Sequence, residues 1–104
     1  MATVKESPTL NRETILVFLR SQKPILRSEF GVTKIALFGS YARGEQTSES
    51  DIDLAIETIS PSFKKRCALK RFLESKLNKK IDICSFSGMR SFIRNSIEKE
   101  LVYA

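Results

Sequence analysis

The chain has 104 residues, 41% hydrophobic and 29% charged, a balance that fits one globular domain with a modest core. It contains no histidine and only two cysteines, Cys67 and Cys84. Ser-His-Asp and Cys-His catalysis, imidazole zinc sites and zinc knuckles are therefore excluded. Any catalysis must run on carboxylates, lysine, hydroxyls or a hard metal ion. Eighteen basic residues against 12 acidic ones give a net charge of +6, which suits a polyanionic partner without choosing one. The longest apolar run, Ile15 to Leu19, is far short of the roughly 20 residues that span a bilayer. No basic leader and cleavage site precede a long apolar stretch, so the expectation is a soluble cytoplasmic protein. The cysteines read as reduced thiols packed as small hydrophobes, although their spacing alone also allows a disulfide.

Residues 1–10 read as a flexible tail and residues 11–104 as one domain. Asn11 is a natural N-cap for a helix to about Gln22, with Ile15, Phe18, Leu19 and Gln22 on one face. Lys23-Pro24 predicts a break, with a second short helix from Ile25 to Phe30 ended by Gly31. Lys34 to Phe38 is a short apolar run closed by Gly39 and reads as a buried strand. Asp51 to Glu57 alternates, acids on one side and aliphatic residues on the other, as a second strand does. Ser60-Pro61 predicts a helix start, with Leu69, Phe72, Leu73 and Leu77 inward and a basic outer face. Lys80 to Cys84 reads as a third strand. Ser87 can cap a last helix burying Met89, Phe92, Ile93 and Ile97, and Leu101 to Tyr103 can form an edge strand. The sum is an α/β (α+β) domain, a small mixed sheet of three or four strands flanked by helices.

The chemistry concentrates in Gly39-Ser40-Tyr41-Ala42-Arg43-Gly44 and in Ser50-Asp51-Ile52-Asp53. Asp51 and Asp53, two apart on a strand, leave the same face about 6–7 Å apart at Cα. Ile52, Leu54 and Ile56 lock the other face and so fix the register. Asp82 lies between Ile81 and Ile83, and a neighbouring strand would turn it to the side of Asp51 and Asp53. A lone acid in an apolar strand is costly without a cation on it. Three carboxylates on one sheet face are what two-metal phosphoryl or nucleotidyl transfer requires. Gly39 permits close backbone approach to a phosphate. Ser40 brings a hydroxyl and an N–H at the start of a short helix, and Arg43 can reach phosphate oxygens.

An Asp-x-Asp pair alone is usually structural. An EF-hand loop fails because Ala55 and Ile56 stand where an acid and a glycine are required, and a P-loop fails because Glu45-Gln46 replaces Lys-Ser/Thr. The basic face of residues 61–77 reads as solvated surface, and Phe63, Phe72 and Phe92 fit core spacing better than base stacking.

Gly39-Ser40, ten intervening residues and Asp51-x-Asp53 together resemble the DNA polymerase β-like nucleotidyltransferase superfamily, above all its minimal nucleotidyltransferases. Gly31-Val32 and Val102-Tyr103 extend the resemblance over residues 12–104. It implies the nucleotidyltransferase fold and transfer of AMP from ATP with magnesium, two ions being expected. Asp51 and Asp53 would hold the metals; Asp82 would share one and help deprotonate the acceptor. Gly39 and Ser40 would hold the triphosphate. The resemblance also implies a prokaryotic antitoxin of a type VII-like pair, modifying a tyrosine of its HEPN ribonuclease toxin within a hetero-oligomer. The alternatives are an antitoxin that acts by binding alone, or adenylylation of RNA or a small molecule. Direct nucleic-acid binding is the less favoured reading, and a membrane partner is not expected.

Overall fold

The computed structural model describes residues 10–60, 62–86 and 100–104. Helix α1 runs from Arg12 to Phe30 and opens on a capping box. In that box Asn11 Oδ1 accepts from the Thr14 N–H, and Thr14 Oγ1 accepts from the Asn11 N–H, both at 2.9 Å. Gly31, with φ 69°, ends the helix and donates its N–H to the Arg27 carbonyl at 3.0 Å.

The break expected at Lys23-Pro24 does not occur; one continuous helix replaces the two predicted. Pro24 lies on the exposed face, as does Arg20, whose carbonyl loses its partner and can be hydrated instead. The apolar stripe Ile15, Leu16, Leu19 and Leu26 continues past the proline and is buried throughout. Burial of that stripe outweighs one lost hydrogen bond. Pro24→Ala should therefore raise stability by about 1–2 kcal/mol. The helix-interior penalty of roughly 3 kcal/mol is partly offset by the unfolded-chain entropy that proline removes. A urea titration checks this, and a lower midpoint for the variant would contradict it.

Strand β1 (Val32–Phe38) leads into a single helical turn, α2 (Ser40–Arg43), and then through a loop to β2 (Ile52–Thr58). Helix α3 (Phe63–Leu77), β3 (Ile81–Ser85) and β4 (Val102–Tyr103) follow. The four strands form one mixed sheet in the order β3-β2-β1-β4. Strand β1 is antiparallel to β2 and β4, and β2 is parallel to β3.

The cap of α3 differs from expectation. Ser62, not Ser60, accepts from the Lys65 N–H, at 3.2 Å, and the helix starts two residues later than predicted. Phe63 consequently sits at the first helical position, about 120° round the helix from Leu69. It is 80% exposed rather than core. Phe72 packs half-buried against Phe30, with ring centroids 5.5 Å apart. The predicted helix from Ser87, including Phe92, and the tail over residues 1–9 lie outside the described residues.

The main core fills the space between one sheet face and helices α1 and α3. Leu37, Ile52, Leu54, Ile56 and Ile81 meet Ile15, Leu19, Leu26, Leu69 and Leu73 there. The other face is partly covered as well. Ala36, Ala55 and Phe86 form a second small cluster with Phe38, Cys84 and Leu101. Both cysteines are free and half-buried. No helix among the described residues is long and apolar enough to cross a membrane.

Candidate active site

The register of the sheet assembles the site. Phe38 at the end of β1 pairs with Asp53, and Asp53 pairs with Asp82 across the parallel β2–β3 ladder. In-register neighbours on adjacent strands share a face at about 4.8 Å. A row therefore crosses the sheet from the Gly39 turn to Asp53 and on to Asp82 at the edge. The first residue of β2 is stitched to the lead of β3, because the Ile52 N–H donates to the Lys80 carbonyl at 3.0 Å. Glu74 Oε2 accepts from the Ile81 N–H at 2.9 Å and fixes the residue before Asp82. Asp51 stands immediately before β2, half-buried like Asp53, whereas Asp82 is exposed.

Gly39 has φ 79° and ψ −158°, a combination essentially restricted to glycine. A Cβ at this position would fall onto Asp53 Oδ2 and lie 3.1 Å from its Cγ. Glycine is thus demanded twice, by the backbone and by the carboxylate beside it. The turn that follows is anchored from below: Tyr41 and Ala42 are buried, and Arg12 Nη1 donates to the Ala42 carbonyl at 3.2 Å. Ser40, at the head of α2, stays half-exposed beside Gly39.

Asp53 is held at a pKa of about 6, against an ordinary 3.8. Partial burial is the largest cause, followed by the negative charges of Asp82 and Asp51; Arg43 opposes them and Glu100 adds to them. The Cys84 thiol is likewise pushed up, by burial first and then by the negative charges of Asp82 and Asp53. The carboxylates feel one another, although no group of three such ligands is drawn into a metal-sized cluster among the described residues. Their chemistry nevertheless suits magnesium: hard carboxylate oxygens whose mutual repulsion a divalent cation would relieve.

Arg43, expected to face phosphate, is held by two carboxylates of this chain. Its Nε donates to Glu45 Oε1 at 2.9 Å and its Nη1 to Glu100 Oε1 at 3.0 Å. The Glu45 contact is the main reason its guanidinium is pushed further up. Glu100 Oε1 also accepts the Gly39 N–H at 3.0 Å. Sequence reading missed Glu100. The signal is the antiparallel pairing of Leu37 with Val102, which, continued by two residues, sets Glu100 opposite Gly39.

The nucleotidyltransferase domain family matches residues 19–104. Protein adenylyltransferase MntA of Thermococcus cleftensis is 37% identical over 95 residues, covering 90% of this chain and 96% of that protein. A solved candidate minimal nucleotidyltransferase superposes with a TM-score of 0.77 at 26% identity, covering 92% of this chain and 98% of the other. A toxin–antitoxin crystal structure with AMP-PNP gives a TM-score of 0.66 at 26% identity, over 90% of this chain and 72% of the other. The match extends over most of the chain in both sequence and fold. The chain belongs to the nucleotidyltransferase domain family.

Proposed function

We propose that this chain is an antitoxin that transfers AMP from ATP to a tyrosine hydroxyl of a HEPN ribonuclease toxin. The observation that carries the reading is the order of groups across the sheet. Gly39 and Ser40 lie at the end of β1, Asp53 on β2, and exposed Asp82 on the edge strand β3. A triphosphate held at the β1 end places its α-phosphorus over the central carboxylates. The outermost acid is then the one a side chain presented by another molecule meets first.

In the transfer, the phenolic oxygen attacks the α-phosphorus and forms the new O–P bond. The bond from that phosphorus to the bridging oxygen breaks, and pyrophosphate leaves with the electron pair. The phenolic proton passes to Asp82, a carboxylate base in a chain without histidine. Asp51, Asp53 and Asp82 would hold magnesium, which supplies charge neutralisation of the phosphates and acidifies the attacking hydroxyl. Similarity to an adenylyltransferase and to a toxin–antitoxin complex with AMP-PNP supports this reading.

Labelled ATP tests it. With a HEPN toxin as acceptor, label from the α-phosphate should enter the toxin, and label from the γ-phosphate should not. Toxin blocked without any label would favour an antitoxin that acts by binding alone.

A further inference from the structure

The Gly39 N–H and the Arg43 guanidinium are donors of the kind that phosphate oxygens accept from, and one atom of this chain receives both. Glu100 Oε1 accepts the Gly39 N–H and the Arg43 Nη1–H, each at 3.0 Å. A backbone amide and a guanidinium converging on a single anionic oxygen make the contact that a non-bridging phosphate oxygen would make. We propose that Glu100 is a built-in stand-in for phosphate, which seats the cradle in the free protein and which triphosphate must displace on binding. The inference rests on the nucleotidyl-transfer reading of the same site.

Several observations make the displacement local. The backbone after Glu100 is fixed to the sheet: Leu37 pairs with Val102, Ala36 pairs with Tyr103, and the Ala104 N–H donates to the Ile35 carbonyl at 3.0 Å. Leu101 packs against the second cluster beneath the sheet. Only the Glu100 side chain, one quarter exposed, needs to rotate to vacate the cradle. Its carboxylate lies close enough to Asp53 to add to the negative field there. An incoming triphosphate therefore meets like charge until Glu100 withdraws. The same competition acts on the product side, because Glu100 can retake the cradle as pyrophosphate leaves.

A merely structural Glu100 would act in the opposite direction. If its role were to hold Arg43 and the Gly39 turn in place, removing its charge would loosen the cradle and weaken binding. Glu45 provides the internal control, since it also pairs with Arg43, at 2.9 Å, but does not cover the Gly39 amide.

The test is calorimetric binding of AMP-PNP and of pyrophosphate, each with magnesium, to the wild type and to Glu100→Gln, Glu100→Ala and Glu45→Gln. Thermal melts confirm that each variant is folded. Glu100→Gln keeps the shape of the side chain and removes only its charge, so it remains informative if Glu100→Ala is unstable. Both ligands should bind Glu100→Gln about three- to tenfold more tightly than the wild type, as expected for removing a partly exposed charged competitor. Glu45→Gln should gain less. Equal or weaker binding to folded Glu100→Gln overturns the stand-in while leaving the nucleotide reading intact. Failure of the wild type to bind either ligand overturns both.

Discussion

Asp53→Asn is expected to yield a chain that is more stable than the wild type and unable to transfer AMP. The stability half follows from the raised pKa of about 6. A folded-state pKa above the ordinary 3.8 means that the native protein holds this proton more tightly than the unfolded chain does. The associated stability is fully present below about pH 4 and is lost as pH rises through 6. At neutral pH the wild type therefore carries an ionised carboxylate that its surroundings disfavour, and asparagine removes it. Because Asp53 is only partly buried, solvent screening reduces the gain to about 1 kcal/mol, or roughly 5 °C in melting temperature for a domain of this size. Melts in EDTA should show the two proteins converging near pH 4 and separating between pH 4 and 6. Magnesium should narrow the gap by stabilising the wild type through binding. The activity half is larger. If Asp53 holds metal and α-phosphate as proposed, its loss should cost about a thousandfold or more in rate. A variant less stable than the wild type at pH 7.5 would contradict the electrostatic part of this account.

Gly39→Ala should damage both folding and transfer. The backbone at Gly39 lies where only glycine is comfortable, which costs a side-chain-bearing residue about 1–3 kcal/mol. The new methyl group would also land on Asp53 Oδ2, so either the turn or the carboxylate has to move. Together these predict a loss of about 2–4 kcal/mol in urea unfolding. Activity should fall by at least about a hundredfold even where the protein is fully folded, because a displacement of about 1 Å at a reacting centre has that effect. A folded Gly39→Ala chain with wild-type transfer would show that the close approach of Gly39 to Asp53 is irrelevant to the reaction.

The elements that chain-local rules could reach were those built on short-range patterns. Ile52, Leu54 and Ile56 alternate with Asp51 and Asp53, so the strand and its acidic face were legible, and Asp82 falls in register with Asp53 as expected. Asn11 and Gly31 mark the ends of α1 by their own chemistry. What was not legible depended on tertiary contacts. Pro24 reads as a break locally, yet burial of Leu26 carries the helix through it. Ser60-Pro61 looks like a cap, but Ser62 is the residue whose side chain accepts the helix N–H. Ala55 sits on the acidic side of β2 and is buried because Phe86, thirty-one residues away, closes over it. Glu100 becomes visible only when β4 is laid against β1. Such contacts form between segments far apart in sequence, where no local spacing announces them.

The most direct test of the central claim is the intact mass of the HEPN toxin after incubation with this chain, ATP and magnesium, beside a parallel sample made with Asp53→Asn. AMP-sized mass steps on the toxin with the wild-type chain alone, together with loss of its ribonuclease activity, are the predicted result. A toxin of unchanged mass that both forms silence equally would contradict catalysis and leave an antitoxin that works by occupying its partner.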